Sequence, residues 1–265
     1  MTPTDLVAER TYRSRRSPRQ GMRLAVAFLT ATLAVGAAHA EPSIDAARTA
    51  FDEGRYLEAA DMAESLGSSE GYALAADALS VHGHYIAADA DKQPLLERAR
   101  SLADKAVELD ETSAEARFQV AHAMGRYAQS IGPTKALRQG FVGGSREAIE
   151  AALELDPDMA KALLSLASWH ADVVAGFGRM LGRMTYGATV QAATDNYERT
   201  LELAPEEKVA YVEFARGLAA IGGRKERPRV RELLNQALEL PVRNDFDRII
   251  HERAKAQLES LDAPD

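Results

Sequence analysis

The 265-residue sequence predicts an all-α protein built from stacked helix pairs. Two observations carry that prediction. A helix-ending phrase, A/T-V/L-E-L, starts at 106, 152, 200 and 237, and its spacings of 46, 48 and 37 residues match a helical repeat. Runs of alternating β-branched residues are missing, while Ala and Leu recur throughout.

The chain opens on a leader. Arg13, Arg15, Arg16, Arg19 and Arg23 precede the apolar run "LAVAFLTATLAVGAA" (24–38), which ends in "AHA" before Glu41-Pro42. A basic region, a short apolar core and small residues at the cut predict a secretory signal peptide cleaved near Ala40, so a periplasmic or secreted protein is expected. Met22 is an alternative start for a leader of ordinary length. Six Arg against Asp5 and Glu9 give residues 1–40 a charge of +4, which leaves −12 on the mature chain from a total of −8. Such an acidic body argues against general nucleic-acid binding. The chain has no Cys, which excludes disulfides, thiolate chemistry and the usual bacterial lipid anchor.

Beyond the leader, the expected helix pairs are 43–53/55–66, 70–88/92–109, 113–130/145–155, 158–175/190–203 and 206–221/228–239. In "FDEGRYLEAADMAE" (51–64), Gly54 makes the turn of the first pair. "KAVELD" (105–110) ends the second, and "AALELDPDMAKALL" (151–164) carries the chain from the third to the fourth. "RTLELAPEEKVAYV" (199–212) does the same for the fourth and fifth. A last helix, 245–261, gathers Phe246, Ile249, Ile250, Leu258 and Leu261 on one side, as a solenoid's cap requires. The domain reading is a leader (1–40), degenerate N-terminal pairs (41–110), repeats with two long inserts (111–242), and a cap with a short tail (243–265).

With Pro157 counted as position 32 of a repeat, Ala152 falls at 27 and Ile149 at 24. Leu163, Leu166, Ala167 and His170 fall at positions 4, 7, 8 and 11 of the next unit. Pro205 likewise places Tyr197 and Thr200 behind it and Tyr211, Phe214, Ala215 and Leu218 ahead. Small residues at 8, 20 and 27 let antiparallel helices approach closely, and large ones fill the space between them. This pattern resembles the tetratricopeptide family, which implies a right-handed helical solenoid of about five pairs with a C-terminal capping helix. The stretches "GPTKALRQGFVGGSREAIEAALELDP" (132–157) and "VAGFGRMLGRMTYG" (174–187) further resemble the tetratricopeptide domain of the regulator of microtubule dynamics family, over roughly residues 95–255. That resemblance implies an interaction domain without enzymatic activity. The family's microtubule role does not carry over to an exported bacterial chain.

The two long spacings hold about 12 and 14 residues more than a 34-residue unit. The excess lies inside helix pairs, at "SIGPTKALRQGFVGG" (130–144) and "GFGRMLGRMTYGATV" (176–190), and a shorter "GGRKERPRVR" (222–231) occupies the same place in the last pair. These inserts are basic: Lys135 and Arg138; Arg179 and Arg183; Arg224, Lys225 and Arg227. On an acidic body they form a candidate edge for an anionic partner, although the helix dipole also favours cations at these helix ends. The first helix of each pair should line a groove. Positions 5 and 9 place Phe118 beside His122, Leu164 beside Ser168, and Val212 beside Arg216, an apolar row next to a polar one that suits a peptide.

His82 and His84, two apart, do not share a helix face and lack completing ligands, so no metal is expected. Trp169 and His170 read as packing residues. "GFGRMLG" has no strand before it, no phosphate-binding loop occurs, and no cofactor or catalytic residue is assigned. The expected function is an exported scaffold that binds an envelope protein or peptide through groove and edge. The alternative is binding of anionic lipid headgroups or a polyanionic polymer through the edge alone.

Overall fold

The computed structural model describes residues 43–262; the leader and cleavage site expected from the sequence, and the last three residues of the tail, lie outside the described residues. Within them the chain forms thirteen α-helices and no strand. They are α1 (Ile44–Asp52), α2 (Tyr56–Ser65), α3 (Ser69–Tyr85), α4 (Asp89–Leu109), α5 (Ala114–Ile131), α6 (Pro133–Arg138), α7 (Phe141–Leu155), α8 (Ala160–Phe177), α9 (Arg179–Tyr186), α10 (Val190–Leu203), α11 (Lys208–Gly222), α12 (Arg227–Glu239) and α13 (Asp245–Asp262). A 3-10 turn, Gly223–Glu226, joins α11 to α12.

Five antiparallel pairs stack in order: α1/α2, α3/α4, α5/α7, α8/α10 and α11/α12, with α13 as the cap. Helix starts are signalled in sequence. The side chains of Ser43, Ser68, Ser113 and Thr189 accept backbone N–H bonds at the starts of α1, α3, α5 and α10, satisfying donors that a first turn leaves open. Two starts come three or four residues earlier than expected. α4 begins at Asp89 rather than 92, which moves Pro94 from the first turn to the second. α7 begins at Phe141 rather than 145 and takes up Gly143 and Gly144. A β-carbon on Gly144 would lie 3.2 Å from the Met124 sulfur, so the glycine lets α7 settle onto α5.

The repeat register accounts for the core. Ala59, Ala152, Ala167, Ala215 and Ala237 are fully buried at helix crossings, and Thr200 fills the one crossing without a small apolar residue. Its hydroxyl donates to the Asn196 carbonyl at 2.8 Å, which satisfies the polar atom locally. Tyr197 stacks on Phe214 at 4.7 Å between ring centres, and Tyr56, Ile149 and Leu163 fill corresponding spaces. Lys208 is fully buried: its ammonium donates to the carbonyls of Ala237 (2.6 Å) and Leu240 (2.7 Å), capping the open end of α12.

The cap does more than expected. One side of α13 packs Ile250, Ala254, Leu258 and Leu261 on the C-terminal core, while Phe246 and Ile249 pack on the N-terminal one. The Tyr56 hydroxyl donates to Asp245 at 3.2 Å, Asn244 donates to Asp52 at 3.3 Å, and the Phe246 ring meets Tyr85 edge-on at 5.6 Å. The stack therefore curves until its last helix touches its first three.

Close approach yields a sign test. Gly→Ala inside a helix normally stabilises by about 0.5–1 kcal/mol. A β-carbon on Gly217 would sit 2.5 Å from the Tyr197 hydroxyl oxygen, whereas one on Gly125 meets nothing within 4 Å. Gly217→Ala is expected to destabilise by about 1–3 kcal/mol and Gly125→Ala to stabilise, measured by denaturant unfolding. Equal effects at the two sites would contradict the packing.

Candidate functional site

The six residues expected to line the groove are knitted into the protein itself. Phe118 and Val212 are buried, 5% and 1% exposed, and so offer no anchor to a partner. Phe118 stacks on His122 and carries the Lys161 ammonium over its ring at 5.0 Å. Leu164 packs into the C-terminal core, and the Ser168 hydroxyl hydrogen-bonds that of Tyr197 at 3.1 Å. Arg216 is ion-paired to Asp172 and Glu213, both at 2.7 Å, and so is not a free steering charge.

The inner helices α3, α5, α8 and α11 converge with α13 on an ionic cluster. Arg126 is its hub. The guanidinium donates to His122 Nε2 (3.3 Å), Gln129 (3.3 Å) and the Tyr85 hydroxyl (3.1 Å), and lies 3.3 Å from His84 Nε2. The other ring nitrogen of His122, Nδ1, faces Asp77 at 3.3 Å. The guanidiniums of Arg126 and Arg253 lie 5.3 and 4.9 Å from the centre of the Tyr85 ring. Burial alone would raise the Glu213 carboxyl, but Arg216, Arg126 and Arg253 together hold it below its ordinary value. Burial, then Arg126 and Arg253, push His84 down to about 2, so it stays neutral. At the groove's mouth, a cavity of about 500 Å³ is lined by Arg48, Glu70, Asp77, Glu115 and Lys161. These charges are also spent internally: Arg48 pairs with Glu70 at 2.6 Å, and Lys161 pairs with Glu115.

Of this cluster, the sequence reading singles out His122 and Arg216. Arg126 lies one helical turn beyond the groove position of His122, and Tyr85 lies at the matching level of α3, so the repeat register is the signal that marks them. Arg253 lies in the cap, outside any repeat, and nothing in the sequence flags it.

The inserts present a different surface. Each begins at a glycine with nearly the same backbone, Gly132 (φ 83, ψ 158) and Gly178 (φ 80, ψ 160), conformations open to glycine. Each then makes a short helix, α6 or α9, ending at a left-handed glycine, Gly140 or Gly187. The inserts therefore do close onto the core, on one face. In α6, Ala136 is buried while Lys135, Leu137 and Arg138 are exposed. In α9, Gly182 lies against Val173, and Tyr186 packs with Phe177 at 5.4 Å. The Tyr186 carbonyl accepts from Arg146 at 2.6 Å, and Arg146 also covers the Trp169 ring at 5.4 Å. Trp169 donates to the Val142 carbonyl at 2.7 Å, and His170, buried beside it, accepts from the Thr189 amide at 3.4 Å; both pack between helices.

The outer face of α9 is left to solvent. Met180 and Met184 are 78% and 80% exposed and Leu181 54%, flanked by exposed Arg179 and Arg183. Arg179 reaches the Ile221 carbonyl at 3.4 Å, tying α9 to the end of α11. Between α10, α11 and the start of α12, with Arg179 of α9 at one side, a cleft of about 400 Å³ is lined by Phe214, Leu218 and Ile221 and by Arg179, Lys225, Glu226 and Arg229. Arg224 and Arg227 are exposed on the same connection.

The cluster makes acid sensitivity predictable. His84 titrates near 2 in the fold against an ordinary 6.5, so below 6.5 the unfolded chain takes a proton that the fold refuses. Its contribution is complete above pH 6.5 and lost as pH falls, costing about 1.4 kcal/mol one unit below. His84→Gln is expected to flatten part of that slope in urea unfolding at a series of pH values. His82, His170 and His251, lowered first of all by burial, keep the remainder. An unchanged slope would remove His84 from the cluster's energetics.

Comparisons place the fold. A tetratricopeptide protein of Thermus thermophilus, TTC0263, superposes with a TM-score of 0.58 at 14% identity, covering 81% of this chain and 97% of that one. MamA (TM-score 0.41, 17% identity, 84% of this chain and 95% of that one) is also similar. So is YrrB, described as a TPR protein with an unusual peptide-binding site (0.40, 13%, 82% and 90%). No curated protein matches the sequence at a significant level. Residues 45–262 match the family described as Regulator of microtubule dynamics protein 1-3, a span that takes in the N-terminal pairs as well as the 95–255 read from sequence. The fold is a tetratricopeptide-type helical solenoid, and the chain belongs to the regulator of microtubule dynamics protein 1-3 family.

Proposed function

We propose that the protein is an exported scaffold that docks an acidic envelope protein through the outer face of α9 and the basic insert edge around it. One observation carries the reading: the two most exposed large apolar side chains among the described residues, Met180 and Met184, share one face of an eight-residue helix with Leu181. Side chains of this kind, rimmed by charge, mark interaction sites, and Met adapts to irregular partner surfaces. Charge supports the choice of partner. Arg179, Arg183, Lys135 and Arg138 stand on a mature chain of net charge −12, so an acidic protein is attracted at the edge and repelled elsewhere. The leader supports export. The groove is not part of the proposal, because Phe118 and Val212 are buried, Leu164 packs on the C-terminal core and Arg216 is ion-paired within the chain. The role is binding, with no chemical step assigned.

The test uses the mature protein as bait in envelope extract, beside Met180→Asp with Met184→Asp, Arg179→Glu with Arg183→Glu, and Arg48→Glu at the groove mouth. Partner affinity is expected to fall about 10–30-fold in the methionine variant, the size of a lost anchor. The arginine variant should mainly slow association and flatten its salt dependence, and Arg48→Glu should bind normally. Loss of binding in Arg48→Glu alone would return the site to the groove. Salt-sensitive binding to anionic lipid vesicles that needs Arg179 and Arg183, with no protein captured, would replace the partner by a membrane surface.

A further inference from the structure

We propose that Met180 and Met184 form a paired oxidation site that switches the outer face of α9 from apolar to polar; the inference rests on the docking reading above. The helix sets the geometry. Residues 180 and 184 lie one turn apart on the face opposite Gly182 and Tyr186, which hold α9 to the core. At 78% and 80% exposure their sulfurs meet solvent oxidants directly. The other methionines among the described residues are partly buried. Met62 packs on the N-terminal core, Met159 on the central one, and the Met124 sulfur lies against the start of α7 at Gly144. With no cysteine anywhere in the chain, no thiol competes for an oxidant.

The oxidant is hydrogen peroxide or another two-electron oxygen donor. A sulfur lone pair attacks one peroxide oxygen, the S–O bond forms and the O–O bond breaks. The sulfur loses two electrons to become a sulfoxide, and the peroxide leaves as water after proton transfer. The product is a strong hydrogen-bond acceptor that resists burial against apolar groups. Because both sulfurs share one face, oxidation leaves Leu181 as the only large apolar side chain between Arg179 and Arg183. Methionine sulfoxide reductases, one for each sulfoxide epimer, reverse the change.

The test treats the mature protein with peroxide and follows each methionine by peptide mapping. Trypsin separates the two sites, since cleavage after Arg179, Arg183 and Arg199 puts Met180 on 180–183 and Met184 on 184–199. Met180 and Met184 are expected to oxidise at least about tenfold faster than Met62, Met124 and Met159, as exposure dictates. Retention on a phenyl hydrophobic-interaction column should fall with their oxidation. It should stay constant in Met180→Leu with Met184→Leu, which keeps the surface apolar. Equal rates at all five methionines, or wild-type retention that ignores oxidation, would overturn the proposal. Neither readout involves a partner, so a failed docking experiment with selective oxidation intact would sink the docking reading alone.

Discussion

The distance of approach between paired helices governs this molecule. Where the helices cross, the contact residue is alanine, as at 59, 152, 167, 215 and 237, and each is fully buried. A side chain with no atom beyond Cβ lets backbones come close, and the large residues flanking the crossing then interlock, as Tyr197 does with Phe214 over Gly217. Repeating that spacing five times sets a constant step from pair to pair. The step brings α13 back onto α1, α2 and α3 through Asp245, Asn244 and Phe246, whose partners lie far back in the chain. It also places every connection within a pair on one edge, which is why the inserts gather there.

Curvature has a cost where the inner helices converge. Their groove-facing side chains meet one another before they meet a ligand, and several are charged. A buried charge needs a partner or several hydrogen bonds, and the cluster supplies both: Arg216 takes Asp172 and Glu213, while Arg126 takes mainly neutral acceptors and the Tyr85 ring. Replacing such a network by apolar residues is often neutral for stability. Its physical consequence is directional, because guanidinium and imidazole bonds fix the angles at which α3, α5 and α13 meet. The interior of the curve thereby becomes structural.

Much of this is legible in the sequence. Four helix-ending corners and the small-large pattern specify the five pairs, the cap and the register, since close packing imposes those residue types directly. Two helix starts depart from expectation because packing overrides local propensity: α4 takes Pro94 into its second turn and α7 takes in Gly143 and Gly144, all held helical by neighbouring helices. The groove departs for another reason. Pattern shows which positions face inward but not how tightly the stack curves, and curvature decides whether Phe118 and Val212 line a channel or a core. Lys208 illustrates the same limit, for its role depends on carbonyls 29 and 32 residues away.

What remains outward-facing after folding is then informative by subtraction. The repeats spend their apolar residues on one another and their inner charges on the central cluster. The inserts follow another rule: Gly132 and Gly178 turn the chain in the same way, a short helix closes one face on the core, and the other face is left apolar and basic. Exposing Met180, Leu181 and Met184 forgoes burial worth roughly 25 cal/mol per Å². A repeat could have closed its pair with a short polar turn, as the Gly54 corner does between α1 and α2. The longer connection sets a basic lip on an acidic body, an arrangement that attracts acidic surfaces at the edge and repels them elsewhere. The proposed docking function accordingly places the partner on this edge rather than in the groove.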